Sequence, residues 1–192
     1  MPASCNYRRE IVNIPGMRFL DRMAVHHIVD RRDKRRGRWE SIFVEPGVED
    51  VLVLPFAEDG KTLILVKVFR FPVEDWIIEL PGGCSRPSEI LQFAAARELR
   101  EETGFSSRQP LVVLMEGYSA SALSNARCSI FLARGCRKTC EPNLDSVEIS
   151  AGLIIERMTI NQVKQAVAGG RTKVDASVLS AIFALEAKGL HL

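Results

Sequence analysis

The stretch Leu80–Phe105, LPGGCSRPSEILQFAAARELREETGF, decides how the rest of the chain is read. At about 100° per residue on a helix, Glu98, Glu101 and Glu102 share an arc of roughly 100°, while Phe93, Ala96 and Leu99 point to the other side. One face is expected to pack and the other to carry three carboxylates. Like charges three and four residues apart destabilise an isolated helix, so the cluster asks for a counter-charge, and a divalent cation is the natural one. Ser88 reads as the N-cap of this helix and Gly104 as the residue that ends it.

Outward from the helix, composition sets bounds. The chain has 192 residues, 46% of them hydrophobic, enough to bury a substantial core. Lysine and arginine total 26 against 24 acidic residues, a net charge of +2, so overall charge does not argue for nucleic acid or a membrane as partner. No apolar run reaches the length of a membrane helix, and MPASCNYRREIVN lacks the apolar centre of a signal peptide; a soluble, cytoplasmic protein is the expectation. The cysteines at 5, 84, 128, 136 and 140 show no paired C-x-x-C spacing and read as reduced thiols. Cys136 and Cys140 would supply at most half a metal site.

Residues 1–45 read as a small β-rich unit and residues 46–192 as the main domain. MRFLDRMAVHHIV and RWESIFVE are β-type segments on either side of the basic connector Arg31–Arg38, which is either a phosphate or RNA contact or a solvated hairpin tip. His26 and His27, adjacent on a strand, face opposite ways. Val51–Phe56 and Thr62–Phe69 flank Asp59-Gly60, a hairpin signal. Trp76–Leu80 continues as a strand into Pro81-Gly82-Gly83. Leu111–Glu116 and Ser129–Ala133 read as strands joined by a small-residue loop, Gly135–Asp145 as irregular, and Val147–Glu156 as the last strand. Helices over Ile160–Val167 and Val174–Lys188 close the chain. The order predicts an α+β domain, an α/β/α sandwich around a mixed sheet.

Gly83, Glu89, Arg97, Glu98, Leu99, Glu101, Glu102, Gly104 and Phe105 meet every fixed position of G-x5-E-x7-R-E-U-x-E-E-x-G-U, U being apolar, and the segment resembles the Nudix box. Val66–Pro72, Glu79–Gly83 and Gly170–Ala176 also resemble the ADP-ribose pyrophosphatase and nucleotide-sugar diphosphatase subgroup. The resemblance implies the Nudix fold, a homodimer formed with help from the N-terminal unit, and hydrolysis of a small nucleoside diphosphate derivative with Mg²⁺ or Mn²⁺. Nucleoside triphosphates, dinucleotides, capped RNA, or binding without cleavage are the alternatives.

Carried over by position, Glu98 and Glu102 would be the main metal ligands, Glu101 a further ligand or water-orienting group, and the Gly82 carbonyl would complete the shell. Such hard oxygen ligands suit these ions, which neutralise phosphate charge and activate water. Arg97 is the internal counter-ion and orienting group, with Glu89 as a partner. Arg70 is either a phosphate clamp or one half of a surface ion pair; Glu79 is either a substrate acceptor or the partner of an arginine. A further acidic residue for the attacking water is sought among Asp145, Glu148 and Glu141, and Tyr118 is either a base-stacking or a packing residue. One departure from the subgroup is the absence of any proline between Pro110 and Pro142, where ADP-ribose pyrophosphatases carry one and this chain has Gly117-Tyr118-Ser119-Ala120-Ser121.

Overall fold

Val51 to Phe56 alternates its side chains between two cores, as period-two backbone dictates. Val51 and Val53 join Ile64, Phe131, Ala133, Ala94, Ala95 and Leu99 on one side of a sheet. Leu54 and Phe56 join Leu63, Leu65, Ile78, Leu80, Val163, Val178 and Ile182 on the other. A sheet apolar on both faces needs a helical layer on each, and this one has them.

The computed structural model describes residues 5–13, 20–30, 34–44, 46–170 and 172–190. Its strands are β1 (Cys5–Asn13), β2 (Leu20–Asp30), β3 (Arg36–Val44), β4 (Asp50–Ala57), β5 (Thr62–Arg70), β6 (Asp75–Glu79), β7 (Gly82–Cys84), β8 (Phe105–Ser106), β9 (Val112–Tyr118), β10 (Arg127–Lys138), β11 (Ile154–Thr159) and β12 (Lys173–Val174). Its helices are α1 (Leu91–Thr103), α2 (Ser146–Ser150), α3 (Ile160–Gly169) and α4 (Ala176–Ala187). Contacts divide the chain into two units, Met1–Val48 with Tyr118–Arg127, and Glu49–Gly117 with Cys128–Leu192.

In the first unit β1, β2 and β3 form an antiparallel sheet. The segment 118–127 belongs to it through the Trp39 indole N–H, which donates to the Ala122 carbonyl at 2.6 Å, and the Ile42 N–H, which donates to Leu123 at 2.8 Å. His26 bonds Ser41 at 2.6 Å and His27 faces Glu10 at 3.6 Å, so the adjacent histidines do diverge. Of the basic connector, residues 31–33 lie outside the described residues.

In the second unit the main path of the sheet is β12-β6-β5-β4-β10-β8, with β10 parallel to β4, β12 parallel to β6 and the other registered pairs antiparallel. This is the mixed sheet of an α/β/α sandwich. The chain departs from expectation in four places. First, α1 starts at Leu91 behind Ile90, not behind Ser88, whose φ of 66° puts it in a left-handed turn closed by the Glu89 N–H on the Arg86 carbonyl. Second, Phe93 is 64% exposed; Ala94 and Ala95 pack in its place beside Leu99. Third, β10 runs through Gly135 at φ 60° to Lys138, because a register shift between Ala133 and Cys136 lets it keep pairing with β4 and then with β8. Fourth, Val147–Ser150 is helical, and the last long strand begins only at Ile154. The side chain of Asp145 caps the helix and that of Glu148 reaches back to the Asp145 N–H, a capping box that outweighs the alternating Val147 and Ile149.

The β4–β5 turn carries its own pH signature. The hydroxyl and N–H of Thr62 and the N–H of Lys61 donate to Asp59 at 2.6, 2.8 and 2.9 Å and hold its carboxyl at about 2, below the ordinary 3.8. A carboxylate whose folded pKa lies below its unfolded one adds stability above the unfolded pKa and loses it as pH falls through the folded pKa. Asp59→Ala therefore melts earlier than the parent at neutral pH, and the gap closes between about pH 4 and pH 2; melting curves across that range check it.

Candidate active site

The site begins with the two glycines of β7. Gly82 pairs with Leu52 and Gly83 with Val51, which brings the strand under α1. A Cβ on Gly82 would lie 2.2 Å from the Val51 carbonyl oxygen, and one on Gly83 would lie 2.9 Å from the Glu98 carboxylate. Only residues without a side chain allow strand and carboxylate to approach this closely. The Gly82 N–H donates to Glu102 Oε2 at 2.9 Å; this N–H is the contact from Gly82 to the acidic face.

Glu98 and Glu102 are thereby buried, 9% and 6% exposed. The expected division of α1 into a packed face and an acidic face does not hold, because β7 covers part of the acidic arc. Arg97 is the hub. Its Nε and Nη2 grip both oxygens of Glu89 at 3.0 and 2.9 Å, Nη1 donates to Glu98 at 2.6 Å and to Glu101 at 3.1 Å, and Nη2 also reaches the Cys84 carbonyl at 3.2 Å. The Arg97 hydrogen bonds, helped by the Arg86 N–H, hold the Glu89 carboxyl at about 2.

Burial acts the other way on the inner pair. It raises Glu98 against the pull of Arg97, with Glu101 and Glu148 adding like charge. It raises Glu102 well above the ordinary carboxylate range despite the Gly82 N–H, with Glu148 and Glu98 adding to the shift and Arg70 opposing it. Glu148, from the late loop, adds like charge to both members of the inner pair. Asp145 accepts the N–H groups of Val147 and Glu148 at 2.8 and 2.9 Å as the α2 cap, and Glu141 is an exposed partner of Lys138 at 2.7 Å.

Among the described residues no three His, Cys, Asp or Glu side chains converge on one point; Arg97 holds Glu98 and Glu101, and the Gly82 N–H holds Glu102. The donor set nevertheless fits a hard divalent cation. It is all oxygen, it lies at the glycine strand, and its two buried members suffer the like-charge and desolvation cost that a cation relieves. The thiols offer nothing comparable: Cys84, Cys128, Cys136 and Cys140 form no disulfide, and burial pushes Cys136 up to about 12.

Arg70 and Glu79 form a two-pronged ion pair, Nε to Oε1 at 2.8 Å and Nη2 to Oε2 at 2.5 Å. Glu79 is therefore the partner of an arginine, and Arg70 is half exposed with that partner in hand. They line a cavity of about 680 Å³ together with Asp75, Lys173, Asp175 and Ser177. Tyr118 belongs to the first unit, where it lines a cavity of about 460 Å³ with His26, Trp39, Phe43 and Asn125. The role of the Cys84 carbonyl was not foreseen, since a backbone acceptor leaves no residue-type signal. The Asp145-x-x-Glu148 capping box was readable from its spacing.

Comparison with known proteins gives the NUDIX domain over residues 47–176. The ADP-ribose pyrophosphatase of Bacillus subtilis is 36% identical over 92 residues, 48% of each chain. The ADP-ribose pyrophosphatase of Saccharomyces cerevisiae is 39% identical over 85 residues, 40% of this chain and 37% of that one. An uncharacterized Nudix hydrolase of Schizosaccharomyces pombe is 30% identical over 151 residues, 77% of this chain and 66% of that one. The chain thus spans about half or less of the length of the two pyrophosphatases. A solved structure described as ADP compounds hydrolase shares the fold at a TM-score of 0.75 with 20% identity, covering 97% of this chain and 96% of its own.

Proposed function

We propose, since this chain belongs to the NUDIX domain family, that it hydrolyses the diphosphate linkage of a nucleoside diphosphate derivative, ADP-ribose or a nucleotide sugar, with Mg²⁺ or Mn²⁺. The products are a nucleoside monophosphate and a phosphorylated remainder. The observation that carries this reading is the burial of Glu98 and Glu102 against Gly82-Gly83 with Glu148 and Arg70 acting on them. The two relatives known as ADP-ribose pyrophosphatases support the substrate class.

Glu98, Glu102 and Glu101, with the Gly82 carbonyl, would hold the ion. When bound, it supplies charge neutralisation at phosphate and a lowered pKa of water. Arg97 keeps Glu98 and Glu101 oriented. Glu148 takes the proton of the attacking water, and Arg70, drawn from Glu79, steadies a phosphate while the rest of the substrate occupies the cavity between Arg70 and Asp175. Residues 1–45 form the small unit that pairs two copies in a homodimer, and the enzyme works in the cytoplasm.

The test is to incubate the protein with Mg²⁺ or Mn²⁺ and ADP-ribose, nucleotide sugars, nucleoside triphosphates, dinucleotides and capped RNA, and to identify products by mass. Cleavage of ADP-ribose or a nucleotide sugar between its phosphates is the expected result. Turnover of triphosphates alone overturns the substrate class, and thermal stabilisation by a ligand without any product overturns the enzymatic reading.

A further inference from the structure

The helix that carries Glu148 buries none of its own five residues, so its position is set from outside. Its N-terminal side is tied to α1 by the Asn143 N–H, which donates to the Glu101 carbonyl at 2.7 Å; its other anchors lie at its C-terminal turn. Ala151 is 6% exposed, and its carbonyl accepts the Phe69 N–H at 3.0 Å. Gly152, at φ 66°, lies so close under the indole of Trp76 that a Cβ there would fall 2.9 Å from Cη2 and 3.6 Å from Cζ3.

The indole is itself held. Trp76 on β6 is the register partner of Phe69 on β5, and the two rings meet edge to face at 5.8 Å and 71°. Phe69 meets Phe71 in the same manner at 5.4 Å and 79°, and Lys67 Nζ lies 5.9 Å from the centroid of the indole. Such aromatic pairs and cation–π contacts favour one orientation over a loosely packed alternative. Yet Trp76 remains 42% exposed, so the ring is not there to fill the core. It also lies on the Gly152 turn, four residues beyond Glu148.

We propose that Trp76 is a positioning residue: its indole, seated on Gly152, fixes the α2 turn and thereby the placement of Glu148 toward Glu98 and Glu102. The inference rests on the reading of Glu148 as the water-side carboxylate. It adds that a residue on the β5–β6 hairpin, outside the family motif, governs the chemical step. That same hairpin carries Arg70 and Glu79, so one rigid element sets both the phosphate side and the water side of the site.

The test uses the whole chain and four variants, Trp76→Ala, Trp76→Phe, Glu148→Gln and the Trp76→Ala/Glu148→Gln double variant. Amide hydrogen exchange is followed without metal, and kcat and KM are measured with ADP-ribose and Mg²⁺. Trp76→Ala is expected to speed exchange at residues 147–153 while leaving α1 protected, and to lower kcat about tenfold or more with KM little changed. Trp76→Phe, which keeps a ring on the glycine, recovers most of both. In the Glu148→Gln background Trp76→Ala has no further effect on kcat, because the group it positions is already gone.

An equal fold-loss in both backgrounds, or unchanged exchange at 147–153, overturns the proposal. Accelerated exchange together with parent-like turnover in Glu148→Gln shows instead that the Glu148 reading is wrong and removes the catalytic half of the inference with it. Since the exchange measurement needs neither metal nor substrate, the two failures are told apart even if ADP-ribose is not cleaved.

Discussion

Glu102→Gln loses at least about a hundredfold in turnover while making the metal-free protein more stable. Both effects follow from one placement. Glu102 is 6% exposed, and only the Gly82 N–H at 2.9 Å answers its Oε2 among the described hydrogen bonds. Burial and the like charges of Glu148 and Glu98 disfavour its ionised form. The amide is nearly isosteric, and its oxygen still accepts the Gly82 N–H, so the strand-to-helix contact survives. The charge, with its desolvation cost, is removed.

The measurements are kcat at saturating substrate and melting temperature with and without Mg²⁺. The parent gains stability from the ion by mass action, whereas the variant gains little, because a weakened site binds less at the same concentration. Glu98→Gln behaves alike in turnover. Parent-like rates in both variants would show that the metal-side carboxylates lie elsewhere.

The spacing of Glu98, Glu101 and Glu102 made the acidic cluster legible, and Gly82-Gly83 marked where a strand could approach it. Their meeting was implied by the resemblance, which brings the Gly82 carbonyl to the same site; the burial of Glu98 and Glu102 that it causes was not legible. A helical projection sees only the residues of α1, so it placed Phe93, Ala96 and Leu99 on the packed side, where Leu99 and Ala96 do pack and Phe93 does not; the strand that buries Glu98 and Glu102 arrives through the β4–β7 pairing. Arg70 and Glu79 lie nine residues apart, and their ion pair depends on the β5–β6 register, in which Val66 faces Glu79 and Arg70 faces Asp75. At Val147–Ser150 two local rules competed. Apolar alternation favoured a strand, the Asp145–Glu148 capping box favoured a helix, and exposure of Val147 and Ile149 shows that no core contact rewarded the alternation. The layered α/β/α architecture, by contrast, was readable from the order of elements, and β4, apolar on both faces, requires the helices found above and below it.

Arg97→Met destabilises the metal-free protein by about 2 kcal/mol or more, below the 3–5 kcal/mol typical of a fully buried pair because the cluster retains some solvent. The guanidinium touches Glu89, Glu98, Glu101 and the Cys84 carbonyl at once. Methionine replaces the side-chain bulk and leaves three carboxylates facing one another in a site that is largely shut. Arg97→Lys recovers only part of the loss, since a compact ammonium lacks the fork that holds both oxygens of Glu89 while reaching Glu98. A divalent cation distinguishes this account from a simple packing defect. If the damage is unbalanced negative charge beside Gly83, Mg²⁺ or Mn²⁺ raises the melting temperature of Arg97→Met by more than that of the parent, because the ion neutralises the same carboxylates that the arginine did. If both proteins gain equally, the loss is one of packing, and Arg97 is not the counter-ion of the acidic site. Turnover stays low even in the rescued variant: an ion offsets the charge on Glu98 and Glu101, but it does not restore the hydrogen bonds that fix where their oxygens point.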